Sequence, residues 1–207
     1  MSMILSIIGI IIVFFIIDLL VKVDEEVCFK ILNKEKGALA MLMLLFNTFI
    51  YIKYEGTSYY WFYYYLLIYL TVSAYIDYKI QKIYCFFNYI TMAVSLVFWV
   101  SQVVNGVDTI PGVTAYIFFV LISIIFNVTG AYAGGDNEVF IVIGYFVVAL
   151  NTINPLIKLL LIMLISSILL PILNFKYFSI KKMKFKEGNK IAFVPAIMLS
   201  TMIIINL

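Results

Sequence analysis

Residues 113–150 read VTAYIFFVLISIIFNVT, then GAYAGGDN, then EVFIVIGYFVVAL. Seventeen residues without a charge lead into eight small or polar ones. Thirteen follow in which Glu138 is the only charge. A helix that crosses the roughly 30 Å hydrocarbon core needs about 20 apolar residues, within a range of about 17–25. The stretch therefore reads as two membrane helices joined by a tight turn. Its apolar runs are continuous rather than alternating, which argues against a β-barrel. The turn holds Gly130, Gly134 and Gly135 directly before Asp136. Glycine takes backbone angles that other residues avoid and lets backbone approach closely. A carboxylate at membrane depth is costly and is a functional candidate by default.

The same pattern fills the chain. Of its 207 residues, 65% are hydrophobic and 12% charged, against about 25% charged in an ordinary soluble domain. Apolar runs fall at 3–21, 38–51, 59–76, 83–104, 113–129, 138–150, 156–174 and 191–205. The expected fold is all-α, a polytopic transmembrane helix bundle of about eight spans. The run at 3–21 has no basic flank and no small-residue cleavage site, so it reads as a retained helix rather than a signal peptide. Asp18 and Lys22 stand four apart and are expected to pair. The tyrosine-rich start of the third run, residues 59–65, reads as an aromatic belt at the membrane interface.

All 14 basic residues are lysines and histidine is absent. Nucleophilic machinery built on histidine is excluded, and so are histidine metal sites. Cys28 and Cys85 are the only cysteines, too few for a four-ligand zinc site. No metal and no cofactor are expected. With the N-terminus outside, the inner loops 22–37, 77–82, 130–138 and 175–190 carry 12 of the 14 lysines, as the positive-inside rule requires. The net charge of +3 is explained by those loops, so no nucleic-acid partner is expected; the expected surroundings are the lipid bilayer. Lys79 and Lys82 read as topogenic charges. Both cysteines fall on the cytoplasmic side as free thiols, Cys85 as a small buried apolar residue. The orientation also places Asp77, at the end of the third run, on the same face as Asp136.

Two carboxylates held close cannot both ionise easily, so such a pair shares a proton near neutrality. One member can take a proton from water while the other polarises a carbonyl. That is amide hydrolysis without histidine, serine or metal. Three segments carry a resemblance in this direction. Gly130-Ala-Tyr-Ala-Gly-Gly135-Asp136 resembles the glycine-rich GxGD-type motif of the type IV prepilin peptidases. Ser73-Ala-Tyr-Ile-Asp77-Tyr-Lys-Ile-Gln-Lys-Ile83 resembles that family's first aspartate motif. Lys190-Ile-Ala-Phe193-Val-Pro195-Ala-Ile resembles its late Pro-Phe-Gly-Pro segment.

The resemblance covers about residues 60–205. It implies an aspartyl endopeptidase that removes the basic leader of type IV prepilins or pseudopilins, after a glycine, at the cytoplasmic membrane face. It further implies that Asp77 and Asp136 are catalytic, with Gly130, Gly134, Gly135, Phe193 and Pro195 as substrate-binding or supporting positions. Residues 1–58 would form two N-terminal transmembrane helices with a short cytoplasmic loop, and 59–207 a six-helix peptidase core. The larger bacterial members also methylate the new N-terminus, and carry a cysteine-paired cytoplasmic domain where this chain has only the loop 22–37. Cleavage without methylation is expected. Tyr84 and Cys85 stand where the family carries Pro-Asn, Ala133 replaces a common glycine, and Glu138 a common lysine. The rival readings are a small ion-coupled transporter or channel subunit using its intramembrane carboxylates, and a non-catalytic assembly factor. Neither the pilin substrate nor the oligomeric state follows from the sequence.

Overall fold

Each apolar run folds as a helix. The computed structural model describes every residue except 1, 25–28, 30, 131, 149–153, 180–183 and 186–190. Its helices are α1 (Ser2–Val23), α2 (Asn33–Tyr54), α3 (Ser58–Ile80), α4 (Cys85–Val104), α5 (Ile110–Val128), α6 (Gly134–Val148), α7 (Pro155–Leu173) and α8 (Val194–Asn206). Between α7 and α8 the basic segment forms a single 3-10 turn, Phe175–Tyr177, and a two-stranded antiparallel hairpin. Its strands are β1 (Phe178–Ser179) and β2 (Lys184–Phe185), with Phe178 opposite Phe185.

The sequence marks the helix starts. Proline occupies the first turns of α5, α7 and α8, where its missing N–H costs nothing. Several boundaries differ from the apolar runs. Residues 34–37 were expected in a loop and are the first turn of α2, closed by a bond of 3.0 Å from the Leu32 N–H to the Glu35 carboxylate. Lys53 and Tyr54, expected in a turn, end the same helix. Polar residues can continue a helix past the hydrocarbon, so an apolar run marks the span and not the helix.

The bundle has an inner and an outer set. Sixteen of the 23 residues of α3 are buried, because α1, α2, α4, α6 and α8 all pack against it. Part of the tyrosine-rich run is core: Tyr60, Phe62, Tyr63 and Tyr64 are buried, while Trp61 is exposed. Phe62 stacks between Phe98 of α4 and Phe146 of α6, at 4.0 and 4.3 Å between ring centroids. A helix that is hydrophobic all round belongs inside. α6 and α8 are short, 15 and 13 residues, about 22 and 20 Å at 1.5 Å per residue, and each buries nine of them. Five helices are long and apolar enough to cross a membrane: Met3–Val23, Asn33–Tyr54, Cys85–Val104, Ile110–Val128 and Pro155–Leu173. They turn large apolar side chains outward, among them Phe15, Val97 and Ile157. The chain is a multi-pass membrane protein.

Small and polar residues join the helices. Gly144 lets α6 meet Tyr116 of α5, where a Cβ would come within 2.6 Å of the ring, the close approach that membrane helix pairs exploit. Asn47 of α2 donates to Ser6 of α1 at 2.8 Å and accepts from Tyr60 of α3 at 3.0 Å. The lysines separate by end. Lys22, Lys34, Lys36, Lys79 and Lys82 lie at the end of the bundle that holds Asp77. Lys53 lies at the other end, where it and Tyr54 donate to the Ile205 carbonyl, both at 3.0 Å. Lys22 pairs with Asp18 at 2.8 Å as expected. Lys79 and Lys82 are more than topogenic charges: they bind Glu35 at 2.6 Å and Asp24 at 3.1 Å. These pairs fasten the start of α2 and the residue after α1 to the end of α3 and the turn beyond it.

Candidate active site

Asp77 sits in the last turn of α3, 4% exposed. The helix ends four residues on at Gln81, in the left-handed conformation (φ 49°), with the Gln81 N–H on the Asp77 carbonyl at 2.9 Å. That sharp stop turns the chain toward Ile83 and α4. The Asp77 carboxylate accepts the Val194 N–H at 2.9 Å and also the Phe193 N–H. These are the opening N–H groups of α8, which have no partner within their helix. No side chain at the α8 N-cap position makes a cap bond. Asp77 therefore caps α8 from 117 residues away.

The glycine stretch delivers Asp136. α5 ends at Val128 and Gly130 follows with φ +74°, a left-handed helix exit. Tyr132 then packs its ring against Phe140 and Phe193, at 5.2 and 5.3 Å. This anchors the stretch to the residue beside Val194. α6 starts at Gly134, so Asp136 lies inside its first turn rather than in a turn before it. The Asp136 carboxylate reaches back to the Ala133 N–H, half of a capping box. Gly135 touches the turn after Asp77: a Cβ there would lie 2.9 Å from the Ile83 Cδ1. Gly134 has open space where its Cβ would be. Of the three glycines, one supplies a positive φ, one a close approach, and one a bare backbone.

Asp77 and Asp136 line one cavity of about 580 Å³, together with Gly134, Gly135, Ile83 and Ile191. Asp136 lies within electrostatic reach of Asp77. The expected site residues thus divide. Asp77, Asp136, Gly134 and Gly135 meet at the cavity. Gly130 lies at the exit of α5, away from the lining. Phe193 is buried beneath it in the aromatic cluster. Pro195 faces a different groove on the far side of α8.

Glu138, Cys85 and Gln81 also line the cavity, and sequence reasoning assigned none of them a role there. Glu138 accepts from Asn88 at 2.8 Å, and Asn88 accepts from the buried Tyr69 at 2.7 Å. One residue before Glu138, α6 is held again through Asn137, which accepts from Ser123 of α5. Cys85 was expected to be buried; it is exposed, with its thiol 3.5 Å from Glu138. The signal available for Glu138 was its place two residues after Asp136, on a helix otherwise apolar. Cys28 lies outside the described residues. Among the described residues no cluster of three metal-ligating side chains occurs.

Comparison with protein-family models, with curated proteins and with solved structures returns no match.

Proposed function

We propose that this chain is a membrane aspartyl endopeptidase that removes the basic leader of a type IV prepilin or pseudopilin after a glycine. The observation that carries the reading is the meeting of Asp77 and Asp136 on one cavity at one end of a membrane bundle. The three segments that resemble the prepilin peptidases are adjacent in space: Tyr132 packs on Phe193, and Asp77 binds the next residue, Val194. In this reading the two carboxylates share one proton. One takes a proton from a water, whose oxygen attacks the scissile carbonyl. The other gives its proton to the carbonyl oxygen; as the tetrahedral intermediate collapses, the proton taken from water passes to the leaving amine and a hydroxyl proton of the intermediate returns to the second carboxylate. The bare Gly134 leaves room for a substrate backbone beside Asp136. The lysine-rich end, which holds the cavity, faces the cytoplasm under the positive-inside rule, and the N-terminus faces out. No cofactor enters this chemistry, and the new N-terminus is not methylated.

The test is co-expression with a prepilin bearing a glycine before its mature apolar helix. Wild type is expected to shorten the pilin. Asp77→Asn and Asp136→Asn are each expected to slow cleavage by about 10²–10⁴-fold, the usual contribution of a positioned acid or base. Asparagine is a good cap, so Asp77→Asn keeps an acceptor for the α8 N–H groups and remains in the membrane. Undiminished processing by both variants overturns the assignment.

A further inference from the structure

A second cavity lies on the other face of α3. It is an open groove of about 520 Å³ between the first turns of α2 and the first turns of α8, with α3 as its floor. At the opposite end of the bundle Lys53 and Tyr54 of α2 reach the Ile205 carbonyl of α8. The two helices are tied there, and the groove is the wedge left open at the aspartate end. Its walls are mostly apolar, with Leu39, Leu42, Ala74, Met198 and Leu199, and carry Thr71, Tyr75 and Tyr78 among them. Its size falls within the roughly 300–1,000 Å³ of ordinary ligand sites.

Two charges stand at its mouth, Lys34 and Glu35. Glu35 is committed: it accepts from Lys79 at 2.6 Å, Tyr75 at 2.9 Å and the Leu32 N–H at 3.0 Å. Lys34 is exposed and makes no ion pair among the described residues. The rim therefore carries one unmatched cation above an apolar slot. Burial of methylene groups against such walls is favourable. The bundle sits among lipids, and Lys34 lies in the first turn of α2 at the charged border of its apolar run.

We propose that this groove binds one acyl chain of an anionic phospholipid, with the headgroup phosphate against Lys34. The proposal rests on the membrane-embedded fold and is independent of the peptidase reading. A single lysine near an anionic headgroup gives about a fivefold preference.

Native mass spectrometry of the purified full chain, offered phosphatidylglycerol and phosphatidylcholine at equal concentration, tests it. Wild type is expected to retain one phosphatidylglycerol with about fivefold preference. Lys34→Glu is expected to abolish the preference while some lipid is still retained. Ala38→Trp, on the exposed α2 wall of the groove, is expected to lower retention of both lipids with helix content unchanged. The proposal is overturned by equal retention of the two lipids, by an unchanged preference in Lys34→Glu, or by a dimer of this chain that Ala38→Trp dissolves. Should Ala38→Trp fail to fold, Lys34→Glu decides alone.

Discussion

Asp77 and Asp136 reach one cavity from opposite kinds of helix end. Asp136 stands in the first turn of α6, where backbone N–H groups and the helix dipole favour a carboxylate. Its support is local, the Ala133 N–H three residues back. Asp77 stands in the last turn of α3, where the helix presents carbonyl groups and its own dipole disfavours an anion. Its support comes from another helix altogether, the start of α8. One aspartate is held by its own turn, and the other ties two inner helices together. Loss of activity at 136 therefore reports on the site, whereas loss at 77 mixes the site with the fold.

The sharpest way to break this contrast is truncation of each side chain. Asp77→Ala leaves the Val194 and Phe193 N–H groups without an acceptor in a buried setting, which costs about 1–3 kcal/mol. Asp136→Ala removes one local bond at a half-buried helix start and is expected to stay within about 0.5 kcal/mol of wild type. Unfolding of the two variants in the same detergent measures both. Equal stabilities would mean that α8 does not depend on Asp77. A second expectation is that Asp77→Asn recovers most of the stability lost in Asp77→Ala without recovering cleavage.

This contrast also marks where the sequence stops being legible. The eight helices follow from the apolar runs; the bilayer fixes length and composition for the five long enough to cross it, while α6 and α8, at 15 and 13 residues, are shorter inner helices. The Asp136 turn is legible because its glycines, its aspartate and its helix are neighbours in the chain. The Asp77 cap is not, since its donors are backbone N–H groups 117 residues away; only Pro195 hints that a helix begins there. The inner position of α3 was not legible for a related reason. A row of tyrosines looks alike at an interface and in a core, and only the packing of Phe62 between Phe98 and Phe146 separates the two. The Tyr69–Asn88–Glu138 chain joins three helices, so no local pattern announces it. The ion pairs Lys79–Glu35 and Lys82–Asp24 were hidden because charged residues near span ends already have a sufficient explanation in topology.

A smaller effect sharpens the picture of how α6 brings Asp136 to the cavity. Gly135→Ala would place a Cβ 2.9 Å from the Ile83 Cδ1 and 3.2 Å from the Ile83 Cβ. Ile83 is β-branched and stiff, so the overpacking is expected to cost about 1–2 kcal/mol and to push the first turn of α6 away from the turn between α3 and α4. Ile83→Val, which deletes that terminal methyl, is expected to return part of the loss. Gly134→Ala adds its methyl to open space and is expected to be neutral or slightly stabilising, since alanine is the better helix former. Thermal unfolding of Gly135→Ala, alone and with Ile83→Val, and of Gly134→Ala separates close approach from bare backbone. If Gly134 and Gly135 respond alike, the contact with Ile83 is not what selects glycine.

The least of these effects concerns Gly130, which shares the motif with Gly134 and Gly135 but not the cavity. Its φ of +74° is the left-handed exit from α5, and nothing lies within 4 Å of where its Cβ would be. The constraint is therefore conformational rather than steric crowding. Gly130→Ala is expected to destabilise by about 1 kcal/mol, the cost of holding a non-glycine residue in that region. Gly130→Asn is expected to cost less, because asparagine enters the left-handed region more readily. Tyr132 still anchors the stretch on Phe140 and Phe193, so α6 keeps its start and Asp136 its place. Both variants should then cleave the pilin at the wild-type rate at a temperature where they remain folded. A loss of cleavage in Gly130→Asn with its stability intact would show that the exit from α5, and not Tyr132, sets the position of Asp136.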